Sequence, residues 1–216
     1  MSQSRQTRQA FRYAASTVVD LLRAPEVAAK WSAPSALAEF AVSGLAGHLA
    51  LQVLNVPRVL AGDRSGQEPP IGLLDHYARV AWVDAELDDE VNVEIRDTGE
   101  AAAAVGVEAL AGQVAEAVEN LDALLAAQTS GRAVYLPWTG WSLRLEPFLI
   151  TRMMEIAVHS DDLAISVGIT APALPPAVLD PVTDLLVRLS VRRHGQAAVL
   201  RALSRAERAP ETITAF

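Results

Sequence analysis

The chain has 216 residues, no cysteine and a formal net charge of −8, and 51% of its residues are hydrophobic. This length suits one large domain over residues 1–216, and an alanine-rich composition with few aromatic residues favours a helical globular protein. The negative charge argues against a general nucleic-acid binder. The lack of cysteine excludes disulfides, thiolate ligands and an internal thiol nucleophile, so any thiol chemistry needs a small-molecule thiol.

The hydropathy of the chain gives no indication of a membrane span. No stretch approaches the run of about eighteen consecutive apolar residues that a spanning helix needs. The first sixteen residues are polar and contain no apolar core of a signal peptide. We therefore expect a cytoplasmic protein without nucleic-acid or membrane partners, whose oligomeric state the sequence leaves open, a homodimer included.

The first 130 residues carry four helical patterns. Apolar residues recur at spacings of three and four over residues 5–24, 43–60, 71–85 and 98–127. Pro57 falls inside the second helix and should bend it or end it early. A loop is expected at 62–70 and a short strand at Val91–Ile95, and Asp97 with Glu100 forms a plausible capping box for the fourth helix.

The second half begins with a predicted hairpin and ends with helices. Two short strands, Ala133–Leu136 and Trp141–Leu145, flank a turn at Pro137–Gly140. A long helix follows, with Pro147 at its first position and Gly168 just past its end. Further helices are predicted from Asp180–Pro181 to Arg193 and from Gln196 to Arg205, with an exposed His194 at the cap between them.

The long helix is apolar around most of its circumference but carries one polar stripe. Arg152, Glu155, His159 and Asp162 fall at i, i+3, i+7 and i+10, so they share a face. Such a stripe on a buried helix costs several kcal/mol unless each group finds a partner or a metal. Glu155 and His159 can point at one divalent ion, although an ordinary helical side-chain pair would have the same spacing.

A third ligand is available on the second predicted helix. His48 stands among the inward-facing Leu45, Leu49 and Gln52, whereas His76 lies in a polar stretch and is expected at the wet surface. Facing helices of a bundle bring such side chains together in the core. His48, Glu155 and His159 would leave one coordination position open, the pattern of a catalytic rather than a structural zinc site.

Two segments resemble a known family. AEFAVSGLAGHLALQV, around His48, and TRMMEIAVHSDDLAISVG, which contains Arg152, Glu155, His159 and Asp162, are similar to the two signatures of the mycothiol-dependent maleylpyruvate isomerase N-terminal domain. That family belongs to the DinB-like antiparallel four-helix bundles. The resemblance implies such a bundle with added C-terminal helices, and three metal ligands, His48, Glu155 and His159, with zinc the usual metal.

The same resemblance implies a function. The isomerase has a further sterol-carrier-like domain after the bundle, whereas the tail from Arg193 to Phe216 is similar to members made of this domain alone. We therefore expect a zinc-dependent transferase or isomerase that joins mycothiol, or a similar thiol, to a small electrophile. Arg152 and Asp162 would support the metal ligands, although Asp162 could equally form a helix-internal salt bridge. A non-catalytic metal-containing binding module is the alternative, and a metal-free structural bundle is a third interpretation.

Overall fold

The computed structural model describes residues 3–62 and 69–216, and this part is mostly helical with one two-stranded sheet. These elements confirm the all-α class with a short β excursion. The loop expected at 62–70 lies largely outside the described residues. The helices are α1 (Gln3–Leu22), α2 (Pro25–Ala29), α3 (Val42–Ala61), α4 (Leu73–Tyr77), α5 (Glu90–Ala103), α6 (Val107–Ala126), α7 (Leu145–Val167), α8 (Pro176–His194) and α9 (Gln196–Ser204), and the strands are β1 (Ala133–Leu136) and β2 (Trp141–Arg144).

Four long helices form the bundle, with α1 packed between α6 and α7 and α3 packed between the same two on the other side. Arg8, near the start of α1, hydrogen-bonds Glu146, near the start of α7, so these two helices run parallel. Arg12 pairs with Asp122, near the end of α6, so α1 and α6 run antiparallel. Arg8 also donates to the Leu125 carbonyl oxygen at 2.8 Å. This side chain therefore links the starts of α1 and α7 to the end of α6.

Helix α3 runs antiparallel to α7, because Gln52 contacts Arg152 while His48, one turn earlier, lies beside Glu155. The direction of α3 is therefore the same as that of α6, and the four helices follow an up-down-down-up order. This order refines the expected antiparallel bundle. Two successive helices that run the same way need a long crossover, which α4, a 3-10 turn at Ala81–Asp84 and α5 supply.

Helix α5 crosses α3 at a contact that requires glycine on both helices. A Cβ added to Gly47 would lie 2.0 Å from the carbonyl oxygen of Gly99, and one added to Gly99 would lie 2.5 Å from that of Gly44. No side chain fits between backbones this close. A Cβ on Gly99 would also lie 3.3 Å from the backbone nitrogen of His48, so the crossing lies beside this histidine.

The crossover differs from the sequence prediction in two places. Residues Val91–Ile95 form the first turns of α5 rather than a strand, and the helix predicted over 98–127 is two helices that meet at 95°. Asp97 and Glu100 therefore lie inside α5 and form no capping box. Helix α5 ends at Ala103, and Gly106, with a φ of +86°, is the residue from which α6 starts in its new direction. The alanine-rich residues on both sides have high helix propensity, so the sequence pattern predicted one continuous helix.

Other helix ends also shifted from the prediction. The helix expected over 71–85 is only α4, followed by the 3-10 turn. Pro57 does not end α3, which continues to Ala61. Helix α8 starts at Pro176, four residues before the expected Asp180, because Val178 is apolar and fully buried. The short α2, which opens on a proline at its first position, was not predicted.

The hairpin and the long helix that follows it are confirmed. Strands β1 and β2 pair antiparallel around a turn that ends at Gly140, with a φ of +84°. Helix α7 starts directly after β2, so Pro147 is its third residue rather than its first. Gly168 takes the left-handed conformation expected just past the end, with a φ of +81°.

No single helix among the described residues has both the length and the apolar character that crossing a bilayer requires. Only α5 and α6 taken together reach that composition, across their 95° bend.

Gly47→Ala should destabilise the fold, because the new methyl group would force α3 and α5 apart. Overpacking of this kind costs about 1–3 kcal/mol. The free energy of unfolding from urea titration measures the effect.

Gly112→Ala on α6 is the matched control, since a Cβ there meets nothing within 4 Å. It should leave stability unchanged or raise it by up to about 1 kcal/mol. Equal effects of the two substitutions would contradict the close crossing.

Candidate metal centre

His48 of α3 and Glu155 and His159 of α7 meet in the bundle. Among the described residues they form the one group of three or more histidine, cysteine or acidic side chains whose ligand atoms could hold a metal ion. All three ligand atoms lie within 4.8 Å of one another. The side chains are 13–18% exposed, so the centre is largely buried yet reachable from solvent.

The carboxylate of Glu155 lies at the middle of the centre. Its Oε2 is 3.1 Å from His159 Nε2 and 3.7 Å from His48 Nε2. The two imidazole rings stand nearly perpendicular, with centroids 4.8 Å apart. Both rings therefore direct a nitrogen toward the same oxygen, although they belong to different helices.

This donor set fits a zinc ion. Zinc bonded to nitrogen and oxygen at about 2.0–2.1 Å in a tetrahedron separates its donor atoms by roughly 3.3 Å. The distances of 3.1 and 3.7 Å lie on either side of that value. Two imidazoles and one carboxylate are ligands that zinc accepts, and three protein ligands leave a fourth position for water or substrate.

Asp162 orients His159. Its Oδ2 lies 3.0 Å from His159 Nδ1, which leaves Nε2 directed at Glu155. A carboxylate behind the distal nitrogen is the usual outer support of a metal-binding histidine. Asp162 therefore lies where its predicted supporting role requires it. Without a metal, the same contact is the salt bridge within the helix that the other interpretation predicts.

Charge and burial act on these groups in opposite directions. Burial lowers the pKa of His159, but its hydrogen bonds to Asp162 and Glu155 outweigh that effect and raise the pKa to about 9. Burial likewise raises the pKa of Glu155, and the hydrogen bonds from His159 and His48 more than reverse it, so its pKa lies well below the usual range. Burial lowers the pKa of His48. Glu155 is therefore ionised and His48 neutral at pH 7.

Arg152, the other predicted supporting residue, lies one turn before Glu155, and among the described residues it forms no hydrogen bond with the side chains of His48, Glu155 or His159. It is 8% exposed, and its guanidinium lies over the Phe148 ring, 5.5 Å from the centroid. It donates to the side chains of Gln52 and Thr151. No acidic side chain among residues 3–62 and 69–216 lies within the 4.0 Å of an ion pair with Arg152.

The prediction of a wet surface position for His76 is wrong. His76 is 4% exposed, and its Nδ1 accepts a hydrogen bond of 3.0 Å from Trp141 Nε1. Burial, and then the positive charge of Arg152, lower its pKa to about 4, so it is neutral at pH 7. The bond comes from the hairpin, about 65 residues away along the chain, and local sequence carries no sign of it.

His194 lies outside the centre as predicted, but it is half-buried rather than exposed, and its Nε2 lies 2.8 Å from the Thr214 carbonyl oxygen. The chain therefore has two histidines inside the cluster and two outside it. Gln52 is the neighbour whose part in the site the sequence did not indicate, although its place on the inner face of α3 was predicted.

Comparison with known proteins identifies the family. The chain matches the mycothiol maleylpyruvate isomerase N-terminal domain over residues 11–164, a range that contains all of the metal-centre residues. The chain therefore belongs to the mycothiol maleylpyruvate isomerase N-terminal domain family. Neither the curated proteins nor the solved structures contain a significant match.

His159→Ala should remove most of the metal that the purified protein carries, because it deletes one of three ligands. Elemental analysis of the wild type should give close to one divalent ion per chain. His194→Ala, the matched histidine control, should keep the wild-type metal content. Full occupancy in His159→Ala would exclude His159 as a ligand.

Zinc affinity should rise with pH over the range in which His159 loses its proton. Because its pKa is raised to about 9, zinc must displace that proton at neutral pH, so affinity should increase up to about tenfold per unit between pH 7 and 9 and then level off. Chelator competition, corrected for the protons of the chelator, measures this slope.

Asp162→Asn is the control, since it removes the charge that raises the pKa of His159. The rise in affinity should then occur at lower pH. An affinity independent of pH in the wild type would contradict a protonated His159 in the metal-free protein.

Proposed function

We propose that the chain is a zinc-dependent transferase or isomerase that joins a low-molecular-weight thiol to a small electrophile. The observation that carries the proposal is the convergence of His48, Glu155 and His159, whose ligand atoms lie within 4.8 Å of one another. As three zinc ligands they would leave a fourth position open. An open position distinguishes catalytic zinc sites from closed structural ones. The absence of cysteine from the 216 residues means that the thiol has to be a co-substrate.

Neighbouring side chains hold the proposed ligands in position before an ion binds. Asp162 holds the His159 ring from behind, and Gln52 contacts both the backbone and the ring of His48. The walls are largely buried, so charges inside interact more strongly than they would in water. Bound zinc would supply a Lewis acid that favours deprotonation of a thiol and thus generates the nucleophile. The Arg152 guanidinium, one turn away, favours negative charge in the same region.

Membership of the family supports mycothiol as the thiol. The electrophile is proposed only as a class, since the three proposed ligands do not specify which group the thiol attacks. A thiol co-substrate stays reduced in the cytoplasm, and the cytoplasmic location is part of this proposal.

Product formation tests the proposal. Zinc-loaded protein is mixed with mycothiol and 1-chloro-2,4-dinitrobenzene, and the thioether is followed by absorbance and confirmed by mass. We expect the rate to exceed that of the uncatalysed reaction, and to fall to the uncatalysed rate on chelation or in His48→Ala. His194→Ala should retain the wild-type rate.

Further electrophile classes, such as epoxides and conjugated carbonyl compounds, extend the same assay. Binding of zinc and mycothiol without product from any of them would instead indicate a binding module. Absence of zinc from the wild type would reject both the enzyme and the binding module. The metal-free structural bundle would then be the remaining interpretation. Whether the chain is an enzyme or a binding module, removal of zinc by a chelator should leave the helical circular dichroism signal unchanged. The bundle has a large apolar core that does not depend on the metal.

A further inference from the structure

Arg152 is a buried cation that forms no ion pair with the described residues. Only 8% of the residue is exposed, and its side chain bonds to neutral groups alone within residues 3–62 and 69–216. Taking a charge out of water without pairing it is costly, so a buried guanidinium of this kind needs an explanation.

The neighbours of Arg152 hold its guanidinium in one orientation. Its Nε donates to Thr151 Oγ1 at 3.1 Å, and its Nη1 donates to Gln52 Oε1. The Phe148 ring lies beneath it, 5.5 Å from the ring centroid to the guanidinium carbon. The Thr151 hydroxyl is itself fixed, because it donates to the Phe148 carbonyl oxygen at 2.7 Å. The guanidinium is therefore set in place before any ligand arrives, which lowers the entropy cost of binding one.

The remaining nitrogen, Nη2, has no hydrogen-bond partner among the described residues. It is also not one of the unpartnered polar atoms that this part of the chain seals off from solvent. A small molecule can therefore reach Nη2. Arg152 thus combines a fixed orientation, a buried positive charge and a free donor edge.

This donor edge belongs to the neighbourhood of the metal centre. Gln52 accepts from Arg152 through its Oε1, while its Nε2 lies 3.2 Å from His48 Nε2. A single amide group therefore separates the guanidinium from one of the proposed ligands. Along α7, Arg152 lies one turn before Glu155, another of them. A small molecule bound at the centre has the guanidinium within reach.

A guanidinium only donates hydrogen bonds, and the anion that its planar fork fits best among common metabolite groups is a carboxylate or a phosphate. We propose that Arg152 binds a carboxylate of the electrophile and so selects substrates that carry one. This inference rests on the proposed function, because it narrows the class of molecule that the thiol attacks. It assigns Arg152 to the substrate, whereas the sequence had predicted a support for the metal ligands.

Two haloacetyl probes isolate the contribution of the carboxylate. Bromoacetate and bromoacetamide have nearly the same size and shape, but only the first is charged. With either probe the thiolate sulfur forms a bond to the CH₂ carbon, the carbon–bromine bond breaks, and bromide leaves with the electron pair. The thiol proton passes to the buffer. The chain has no cysteine that these probes could alkylate.

The ratio of kcat/KM for bromoacetate to that for bromoacetamide tests the proposal. Zinc-loaded protein is mixed with mycothiol and each probe, the thioether is quantified by mass, and the ratio is divided by that of the uncatalysed reactions. We expect the wild type to favour bromoacetate at least about tenfold, as hydrogen bonds to a charged group allow. Arg152→Met should lose most of this preference.

Arg201→Met is the matched control, since it removes an exposed arginine of α9, and it should keep the preference. A preference that survives in Arg152→Met would overturn the proposal. So would an equal loss with both probes together with weaker zinc binding, because that result describes a structural role. If Arg152→Met is unfolded by circular dichroism, Arg152→Lys takes its place. It keeps the charge but lacks the fork, and should lower the preference.

Binding without turnover separates this inference from the proposed function. Propionate and propionamide are titrated into the protein as purified, without a thiol, and NMR shifts of the backbone amides report binding. Propionate should bind at least about tenfold more tightly than propionamide, and Arg152→Met should remove the difference. Equal binding of the two in the wild type would overturn the proposal. Failure to form a thioether with any electrophile would reject the proposed function instead, whatever the titration shows.

Discussion

The ionised carboxylate of Glu155 inside the bundle is the constraint on which the rest of the site depends. A buried charge is tolerated only when it is paired and hydrogen-bonded. Two imidazoles converge on one oxygen of this carboxylate, and the Arg152 charge acts on it from one turn away. The polar neighbours are in turn bonded outward, to Asp162 and to Gln52. The arrangement is a small polar network enclosed by apolar helices, in which each member limits the freedom of the next.

The scaffold makes this convergence possible by running α3 and α7 in opposite directions. His48 and Gln52, one turn apart, then lie level with Glu155 and Arg152 on the facing helix. The glycine contact brings α3 and α5 close together, and the guanidinium of Arg8 joins the starts of α1 and α7 to the end of α6. The candidate centre therefore lies within helices that are held together both beside His48 and at the distant ends of the bundle.

The sequence predicted the features that depend on local periodicity. The polar stripe on α7, the inward position of His48, the hairpin and the left-handed Gly168 all follow from spacing or from the conformational freedom of glycine. It failed where contacts between distant segments decide. The break before Gly106 separates α5, which packs against α3, from α6, yet the alanine-rich residues on both sides favour one continuous helix. His76 is buried where Trp141 donates to it across the fold. The buried amide of Gln52 accepts a hydrogen bond from a guanidinium one hundred residues further on.

The three residues of the candidate metal centre are far apart along the chain, and this separation has a consequence for the order in which they assemble. Glu155 and His159 are neighbours on a single helix and can meet as soon as α7 forms. His48 lies 107 residues before Glu155 (155 minus 48), so the three side chains come together only after α3 has docked. Closing so long a loop costs several kcal/mol of chain entropy, which packing of the bundle has to supply. An ion held by all three residues would therefore mark a chain whose folding is complete, while a partly folded chain would offer it only the pair on α7.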